Sequence, residues 1–167
     1  MNRLTLLACA AAVGAAALAT PLASQEILVS PAEDGIAHFV RTVSHQLDRN
    51  LARVSLPLRA APQGTVRLRF EIDQAGRAAN ISYYSRSGDR AADRAAMQAV
   101  ARLGSRDPMA PELVAGQLIQ ANIIFASSEA DFLRQAKQLA RAEAERIASA
   151  PAERKVLALT TITGSHS

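Results

Sequence analysis

The sequence predicts an α+β fold: a small three-stranded antiparallel sheet in the order 2-1-3, helices packed on one face of it, and an extra C-terminal helix. Two patterns carry this prediction. Residues 65–73 alternate apolar with charged side chains, which is the period of a strand with one buried face. Residues 31–50 repeat their apolar side chains at helical spacing instead, so a helix precedes the first strand.

The N-terminal segment has the composition of a secretory signal peptide. Arg3 is followed by an apolar stretch. Ala17 and Ala19 offer one small-residue cleavage site, and a cut near Ser24 is the alternative. We therefore expect cleavage and a periplasmic product. An inner-membrane protein anchored by an uncleaved segment is the alternative, because the stretch approaches the roughly 20 residues that a membrane span needs. Cys9, the single cysteine, lies in this segment, so the mature chain would contain no disulfide.

The first helix is predicted over about residues 31–50. Ser30 and Glu33 have the spacing of a capping box just before the apolar repeat. His38 and His45 lie seven positions apart, too far along a helix axis to share a metal ion, and we interpret them as two partly exposed side chains. The apolar stripe consists of Ile36, Phe39, Val40, Val43, Leu47 and Leu51.

Two strands joined by a turn are predicted next, over residues 65–73 and 77–85, with turn residues at 73–76. The first strand has a buried face made by Val66, Leu68, Phe70 and Ile72. The second strand is predicted to place Ala79, Ile81 and Tyr83 on one face and Asn80, Ser82 and Tyr84 on the other.

A sharp strand-to-helix junction follows the hairpin. Gly88 permits the change of direction, and Asp89 is a candidate N-cap for a helix that runs to about Leu103. Because no histidine lies near Ser85 or Ser87 in the sequence, we assign these serines turn and cap roles rather than a nucleophilic one. Small side chains would let this helix lie close to a sheet, in a stripe of Ala92, Ala96, Val100 and Leu103.

The C-terminal part of the sequence predicts a third strand, a helix and a tail. The strand covers 116–126, and an alanine- and charge-rich helix from 128 to about 150 either docks on the domain or projects into solvent. Residues 155–163 have strand composition. We consider two arrangements for them: pairing with a free edge of the sheet, in competition with any partner peptide, or a loosely packed tail.

Residues 57–126 resemble the C-terminal domain of the TonB family. The resemblance rests on five features in chain order. They are a glycine, an alternating strand ending in Asp and Gly, a strand leading into Ser-Gly, a helix with D-x-A-A-M, and a last strand with a terminal aromatic residue. The matching positions are Gly64, Val66, Phe70, Ile72, Asp73, Gly76, Ser87, Gly88, Asp93, Ala95, Ala96, Met97 and Val100. Eight of them are expected to maintain structure: Gly64, Phe70, Asp73, Gly76, Ser87, Gly88, Asp93 and Ala96.

The resemblance also implies where a partner would bind. The predicted sheet order leaves the third strand at an edge, where unpaired main-chain groups are a template for another strand. TonB-like domains capture an extended peptide there by strand addition. The implied partner is a TonB-dependent outer-membrane receptor or another envelope protein, and the implied function is TonB-type transport across the outer membrane. The expected binding residues are Gln117, Leu118, Ile119, Gln120, Ala121, Asn122, Ile123, Ile124 and Phe125.

Two other functional classes were weighed. A periplasmic scaffold or assembly protein could act through the 128–150 helix, by binding a partner or forming a homodimer. An exported enzyme has no support, since acids and histidines show no clustered spacing. We therefore expect no catalytic residue, cofactor, metal or small-molecule substrate. The net charge of +4 is spread among alternating acids and arginines, so no nucleic-acid partner is expected.

The predicted organisation has four parts: a signal peptide (1–24), an N-terminal amphipathic helix (25–56), the TonB C-terminal-like domain (57–126), and a C-terminal helix with its tail (127–167). A full TonB-like energy transducer has an inner-membrane helix and a long spacer that crosses the periplasm. With the signal peptide removed, this chain would have neither. With cleavage we expect an accessory peptide-binding domain, whereas an uncleaved protein in the inner membrane leaves force transmission open.

Overall fold

The computed structural model describes residues 31–55, 61–110, 114 and 116–164. The proposed signal peptide and the Ser30 cap lie outside these residues. In the part of the chain that the structure describes, no helix has both the length and the apolar content to cross a bilayer. The elements in chain order are α1 (Pro31–Ala52), β1 (Gly64–Ile72), β2 (Ala78–Ser85), α2 (Arg90–Ala101), β3 (Ile119–Ala126), α3 (Glu129–Ser149), α4 (Pro151–Arg154) and β4 (Leu157–Gly164).

The sheet has four strands in the order β2-β1-β3-β4. β1 pairs antiparallel with both β2 and β3, as predicted, whereas β4 pairs parallel with β3. The prediction of a three-stranded antiparallel sheet was therefore wrong for the sheet as a whole, although its order 2-1-3 is present within it. Parallel neighbours require a long crossover connection, and α3 with α4 supplies it here.

The helices cover both faces of the sheet, whereas the prediction placed helices on one face and left open whether the extra C-terminal helix docks. α1 and α2 cover one face, where Phe39, Val43 and Leu47 of α1 join the side chains that β1 and β3 direct to that side. α3 covers the opposite face, where Leu139 packs with Ile124 of β3. Every residue of β3 is consequently buried. The extra C-terminal helix docks on the domain because it has this second face to cover.

The hairpin follows the prediction except at one residue. The Asp73 carboxylate accepts hydrogen bonds from the backbone N–H groups of Ala75 (2.9 Å) and Arg77 (2.8 Å), which closes the turn. Asn80 has a φ of 52°, in the left-handed region, and the pairing of β1 with β2 is irregular there. This irregularity breaks the alternation of β2, so Ala78, rather than Ala79, joins the core.

The junction between β2 and α2 is held by hydrogen bonds that involve Ser87, Asp89 and Asp93. Asp89 caps α2 by accepting from the backbone N–H groups of Ala91 and Ala92. These bonds, the one to Ala91 first, together with a bond from the Gln63 N–H, lower the pKa of Asp89 and outweigh the opposing effect of burial. The Ser87 hydroxyl accepts from the Asp89 N–H at 3.0 Å, in agreement with the predicted turn role.

Candidate functional site

The predicted binding strand lies inside the sheet. β3 has β1 on one side and β4 on the other. The two residues that precede β3 are also engaged: the Leu118 carbonyl accepts from the Leu157 N–H at 3.0 Å, and the Gln117 side chain donates to the Lys155 carbonyl at 3.0 Å. The main-chain groups on the outer side of β3 are therefore paired within the chain itself.

β4 follows β3 along its whole length. Their parallel register runs from Ile119 opposite Leu157 to Ala126 opposite Gly164 without interruption. The arrangement in which the tail pairs with the sheet is thus the one observed. The two outer strands of the sheet are β2 and β4. Sequence reasoning did not decide whether residues 155–163 pair with the sheet. Their strand composition was the feature that pointed to β4.

β4 is anchored by few side chains. Leu159 is buried in the main core, and Leu157 packs partly against it. On the other face of β4, Ala158 and Thr160 are exposed, and Ile162 is 54% exposed. β4 therefore depends more on main-chain pairing with β3 than on side-chain burial.

One buried group of β4 is left without a partner. The Thr161 hydroxyl is buried and has no hydrogen-bond partner among the described residues. An unsatisfied buried polar group costs about 1–3 kcal/mol. The docked position of β4 is consequently less stable than the same backbone arrangement with an apolar side chain there.

A polar layer lies between the sheet and the helices α3 and α4. It joins two arginines of β1, two amides of β3 and three charged side chains from α3 and α4. Gln120 is fully buried in it and donates to Glu143 at 2.6 Å and to Asn122 at 2.9 Å. Arg67 lies 3.7 Å from Glu143. The members are Arg67, Arg69, Gln120, Asn122, Glu143, Arg146 and Glu153.

Glu153 connects this polar layer to the start of β4. Its two carboxylate oxygens accept from Arg69 at 2.5 and 3.2 Å, and Arg146 donates to the same carboxylate at 3.3 Å and to the Glu153 carbonyl. The hydrogen bond from Arg69 is the main cause that lowers the pKa of Glu153, against a smaller opposing effect of burial. Burial by itself would lower the pKa of Arg146, but Glu143 and Glu153 outweigh it and raise that pKa.

Tyr84 extends the same charged surface outward. Its ring is 41% exposed and lies under two guanidinium groups, that of Arg69 at 3.8 Å and that of Arg67 at 4.9 Å from the ring centre. Such contacts stabilise exposed pairs by about 0.5–1 kcal/mol each. Tyr83, in contrast, packs against the core, as expected for sheet packing.

The residues of the family motif occupy the hairpin, the junction and the core. Asp93 is buried and accepts from both the backbone N–H and the hydroxyl of Ser87, each at 2.9 Å. Gly64, with φ of 102°, lies so close to this turn that a Cβ would come within 2.8 Å of the Ser87 Cβ. These contacts agree with the expected structural roles. Phe70 and Ala96 are fully buried.

An open cavity of about 760 Å³ lies beside the start of β3. Gly116, Gln117 and Leu118 line one wall, and the other is lined by Pro151, Ala152, Glu153, Lys155 and Val156. Glu153, at the boundary of the polar layer, also contributes to this wall. The cavity therefore adjoins the end of the β3–β4 pair where the chain enters both strands.

The described residues contain no candidate metal site of three or more ligating side chains. Within residues 31–55, 61–110, 114 and 116–164, no three side chains of His, Cys, Asp or Glu are grouped so as to hold a metal ion. His38 and His45 are both exposed on α1. Their separation along the helix agrees with the interpretation as independent surface side chains.

The family comparison agrees with this architecture. Residues 58–126 match the family described as the Gram-negative bacterial TonB protein C-terminal. This match agrees with the resemblance predicted for residues 57–126. The family is associated with the cell envelope, is not an enzyme family, and typically interacts with proteins such as outer-membrane receptors. The chain has no significant match among curated proteins or solved structures.

Proposed function

We propose that this protein binds an extended peptide of an envelope protein by strand addition at β3, and that β4 occupies this position until the peptide displaces it. The supporting observation is the uninterrupted register between β3 and β4. It is a strand addition made by the chain's own C-terminal segment. A partner peptide would make the same main-chain hydrogen bonds, so side chains would decide between the two.

The side chains of β4 favour exchange. Its exposed Ile162 and the unpartnered Thr161 hydroxyl contribute little to docking, whereas Leu159 provides the main apolar contact. A peptide with a better apolar match at these positions would compete effectively. The free energies with which β4 and a peptide pair with β3 would then be similar. The local concentration of β4, which is set by its covalent link to the domain, would help to decide which of them is bound.

The polar layer would set the threshold for this exchange. Glu153 lies four residues before β4 and is held by Arg69 of β1 and Arg146 of α3. Because Glu153 is part of α4, these bonds break during release of β4 only if α4 moves together with β4. We propose that α3 stays docked and that α4 with β4 is the segment that moves.

The cellular setting is part of the proposal. We propose that residues 1–24 are a cleaved signal peptide, that residues 25–167 act in the periplasm, and that binding is linked to TonB-type transport across the outer membrane. The match to an envelope-associated family supports this setting. In it the domain acts as an accessory peptide-binding protein.

A second candidate function is that of a scaffold acting through α3. Leu133 is 59% exposed and Ile147 is 45% exposed on this helix. Together with Ala140 they recur every seven residues, the spacing of a helix–helix contact. Sedimentation of the mature chain and of its Leu133→Ser/Ile147→Ser variant tests this function. A dimer that the double substitution dissociates would favour it, and a monomer in both would exclude a scaffold that acts as a homodimer.

Peptide binding to a chain with weakened β4 tests the proposed function. Leu159→Asp places a charge in the core and should release β4, while Thr160→Asp alters an exposed neighbour and serves as the control. The probes are a synthetic copy of residues 156–164 and peptides from the N-terminal segments of TonB-dependent outer-membrane receptors. Amide chemical shifts report the site of binding.

The expected result is saturable binding to Leu159→Asp that shifts the amides of residues 119–126, with much weaker binding to Thr160→Asp. Folded Leu159→Asp protein that binds none of the probes would contradict the proposal. Binding that shifts the β4 amides while β4 stays docked would also contradict it, because the peptide would then be adding to the outer edge of β4.

A further inference from the structure

A cavity lined by four arginines lies where the C-terminal ends of α1 and α2 meet. Its volume is about 560 Å³. Arg49 and Arg53 reach it from the end of α1, and Arg102 and Arg106 from the segment that follows α2. The other described lining residues are Gln46, Asn50, Ser105 and Asp107, so the described part of the wall is polar.

Buried amides hold the two arginine-bearing segments in place. Gln46 is 5% exposed; its oxygen accepts from the Gly104 N–H at 3.0 Å, and its nitrogen donates to the Asp107 carbonyl at 2.8 Å. Asn50 donates to the Ala99 carbonyl at 3.0 Å. The end of α1 is thereby tied to the segment after α2, and the backbone positions that carry the arginines are fixed before any ligand binds.

The charge in this cavity is poorly balanced. Among the described residues of its lining, Asp107 is the single carboxylate, and its Oδ2 lies 3.2 Å from the Arg49 Nη2. Among the residues that the structure describes, no carboxylate forms an ion pair with Arg53, Arg102 or Arg106. A cation at a helix C-terminus interacts favourably with the helix dipole. Interaction with two helix C-termini does not by itself account for four guanidinium groups around one cavity.

We propose that this cavity binds a phosphate group. Guanidinium groups form paired, charge-assisted hydrogen bonds with phosphate oxygens, and arginine suits this geometry better than lysine. The volume lies within the range of about 300–1,000 Å³ that is usual for small-ligand sites. The polar wall fits the phosphate end of a ligand rather than an acyl chain. The phosphate can belong to a soluble phosphorylated molecule or to a lipid headgroup.

This site is separate from the peptide site. Its residues come from α1 and from the loop after α2, on the side of the domain where Gly104 contacts the β1–β2 turn at Gly76. β3 and β4 contribute no lining residue. The inference therefore does not depend on strand addition, and its failure would leave the proposed function unaffected.

The experiment compares two double variants of the mature chain that lose the same charge. Arg53→Gln/Arg102→Gln removes half of the cavity's arginines, and Arg41→Gln/Arg94→Gln removes two exposed arginines that do not line the cavity. Because all four side chains are exposed, both variants should fold with an unchanged melting temperature. The probes are pyrophosphate, and vesicles of phosphatidylcholine with or without phosphatidylglycerol, in constant salt.

Binding is followed by the amide shifts of Gly104 and Ser105 for pyrophosphate and by co-sedimentation for vesicles. We expect saturable binding that is at least tenfold weaker in the cavity variant and unchanged in the control. Binding of pyrophosphate supports a soluble phosphorylated ligand, and binding confined to phosphatidylglycerol vesicles supports a lipid headgroup. Equal loss in both variants, or no binding of either probe, would overturn the proposal.

Discussion

Arg69 and Glu153 are 84 positions apart in the chain and form a two-bond ion pair, with N···O distances of 2.5 and 3.2 Å. This pair joins the central strand β1 to the segment that leads into β4. Its shorter bond, at 2.5 Å, is comparable with the 2.6 Å bond from Gln120 of β3 to Glu143 of α3 in the same polar layer. The stability of β4 on the sheet should therefore depend on this ion pair.

Substitution of Glu153 by Gln should loosen β4 without unfolding the domain. Two guanidinium groups, those of Arg69 and Arg146, would lose their shared carboxylate. We expect faster hydrogen exchange at the amides of residues 157–163 and little change in α2. Glu145→Gln, on an exposed position of α3, is the matched control. Equal protection of β4 in both variants would show that the ion pair does not hold it.

The docking of β4 should weaken in acid. The pKa of Glu153 is lower in the folded protein than its ordinary value of 4.5, mainly because of the hydrogen bond from Arg69. A carboxyl group of this kind stabilises the fold fully above its unfolded pKa, and the contribution is lost as the pH falls through the folded pKa. The Leu159 methyl signals should thus stay constant down to about pH 5 and shift at lower pH. The same shift in Glu153→Gln would assign the effect to other carboxyls, such as Asp131.

Replacement of Thr161 by Val should stabilise the protein. Its hydroxyl is buried without a hydrogen-bond partner, and an apolar group of similar shape removes that cost. We expect the free energy of unfolding in urea to rise by about 1 kcal/mol, and peptide binding at β3 to weaken accordingly. The exposed Thr160→Val should change stability by less than about 0.5 kcal/mol. A destabilised Thr161→Val protein would mean that the hydroxyl is satisfied in solution.

Gly104 should tolerate a side chain far less well than Gly88. Both have positive φ, 73° and 91°. Alanine in this left-handed backbone conformation is therefore destabilised by about 1–2 kcal/mol at either position. At Gly104 a Cβ would also lie 2.0 Å from the Gly76 carbonyl oxygen, whereas at Gly88 nothing lies within 4 Å. Chemical denaturation should give a clearly larger loss for Gly104→Ala. Equal losses would mean that the Gly104–Gly76 contact relaxes easily.

Much of the fold could be predicted from local patterns. The alternation in β1, the helical spacing of α1 and the small-residue stripe of α2 each specify a buried face, and the observed core uses them. Asp89 caps α2, as its position before the small-residue stripe suggested. These features depend on neighbours along the chain, which is why sequence alone carries them.

The second covered face could not be predicted in this way. Gln120 and Asn122 of β3 alternate with apolar residues and resemble a solvent-facing side, yet both are buried beneath α3. Arg146 has a side chain only 3% exposed, although its sequence context is that of a surface helix. Burial of these groups depends on pairing between distant segments, and single-sequence periodicity contains no information about such partners.

The candidate site was predicted only in part. The predicted strand order placed β3 beside β1, which is observed, but the prediction that β3 is a free edge was wrong because β4 pairs with it. Whether residues 155–163 pair with it was left open, because strand composition does not specify a partner strand. Peptide binding at β3 and competition by β4 stay predictions.

A reversible lock between β3 and β4 is the most direct test of the account. Asn122 and Thr160 are opposite each other in the parallel register, and neighbouring strands lie about 4.8 Å apart, within disulfide range. The mature Asn122→Cys/Thr160→Cys chain should lose binding of receptor-derived peptides when oxidised and regain it on reduction. If the oxidised protein binds these peptides as tightly as the reduced protein does, β4 does not guard the site and a partner binds elsewhere.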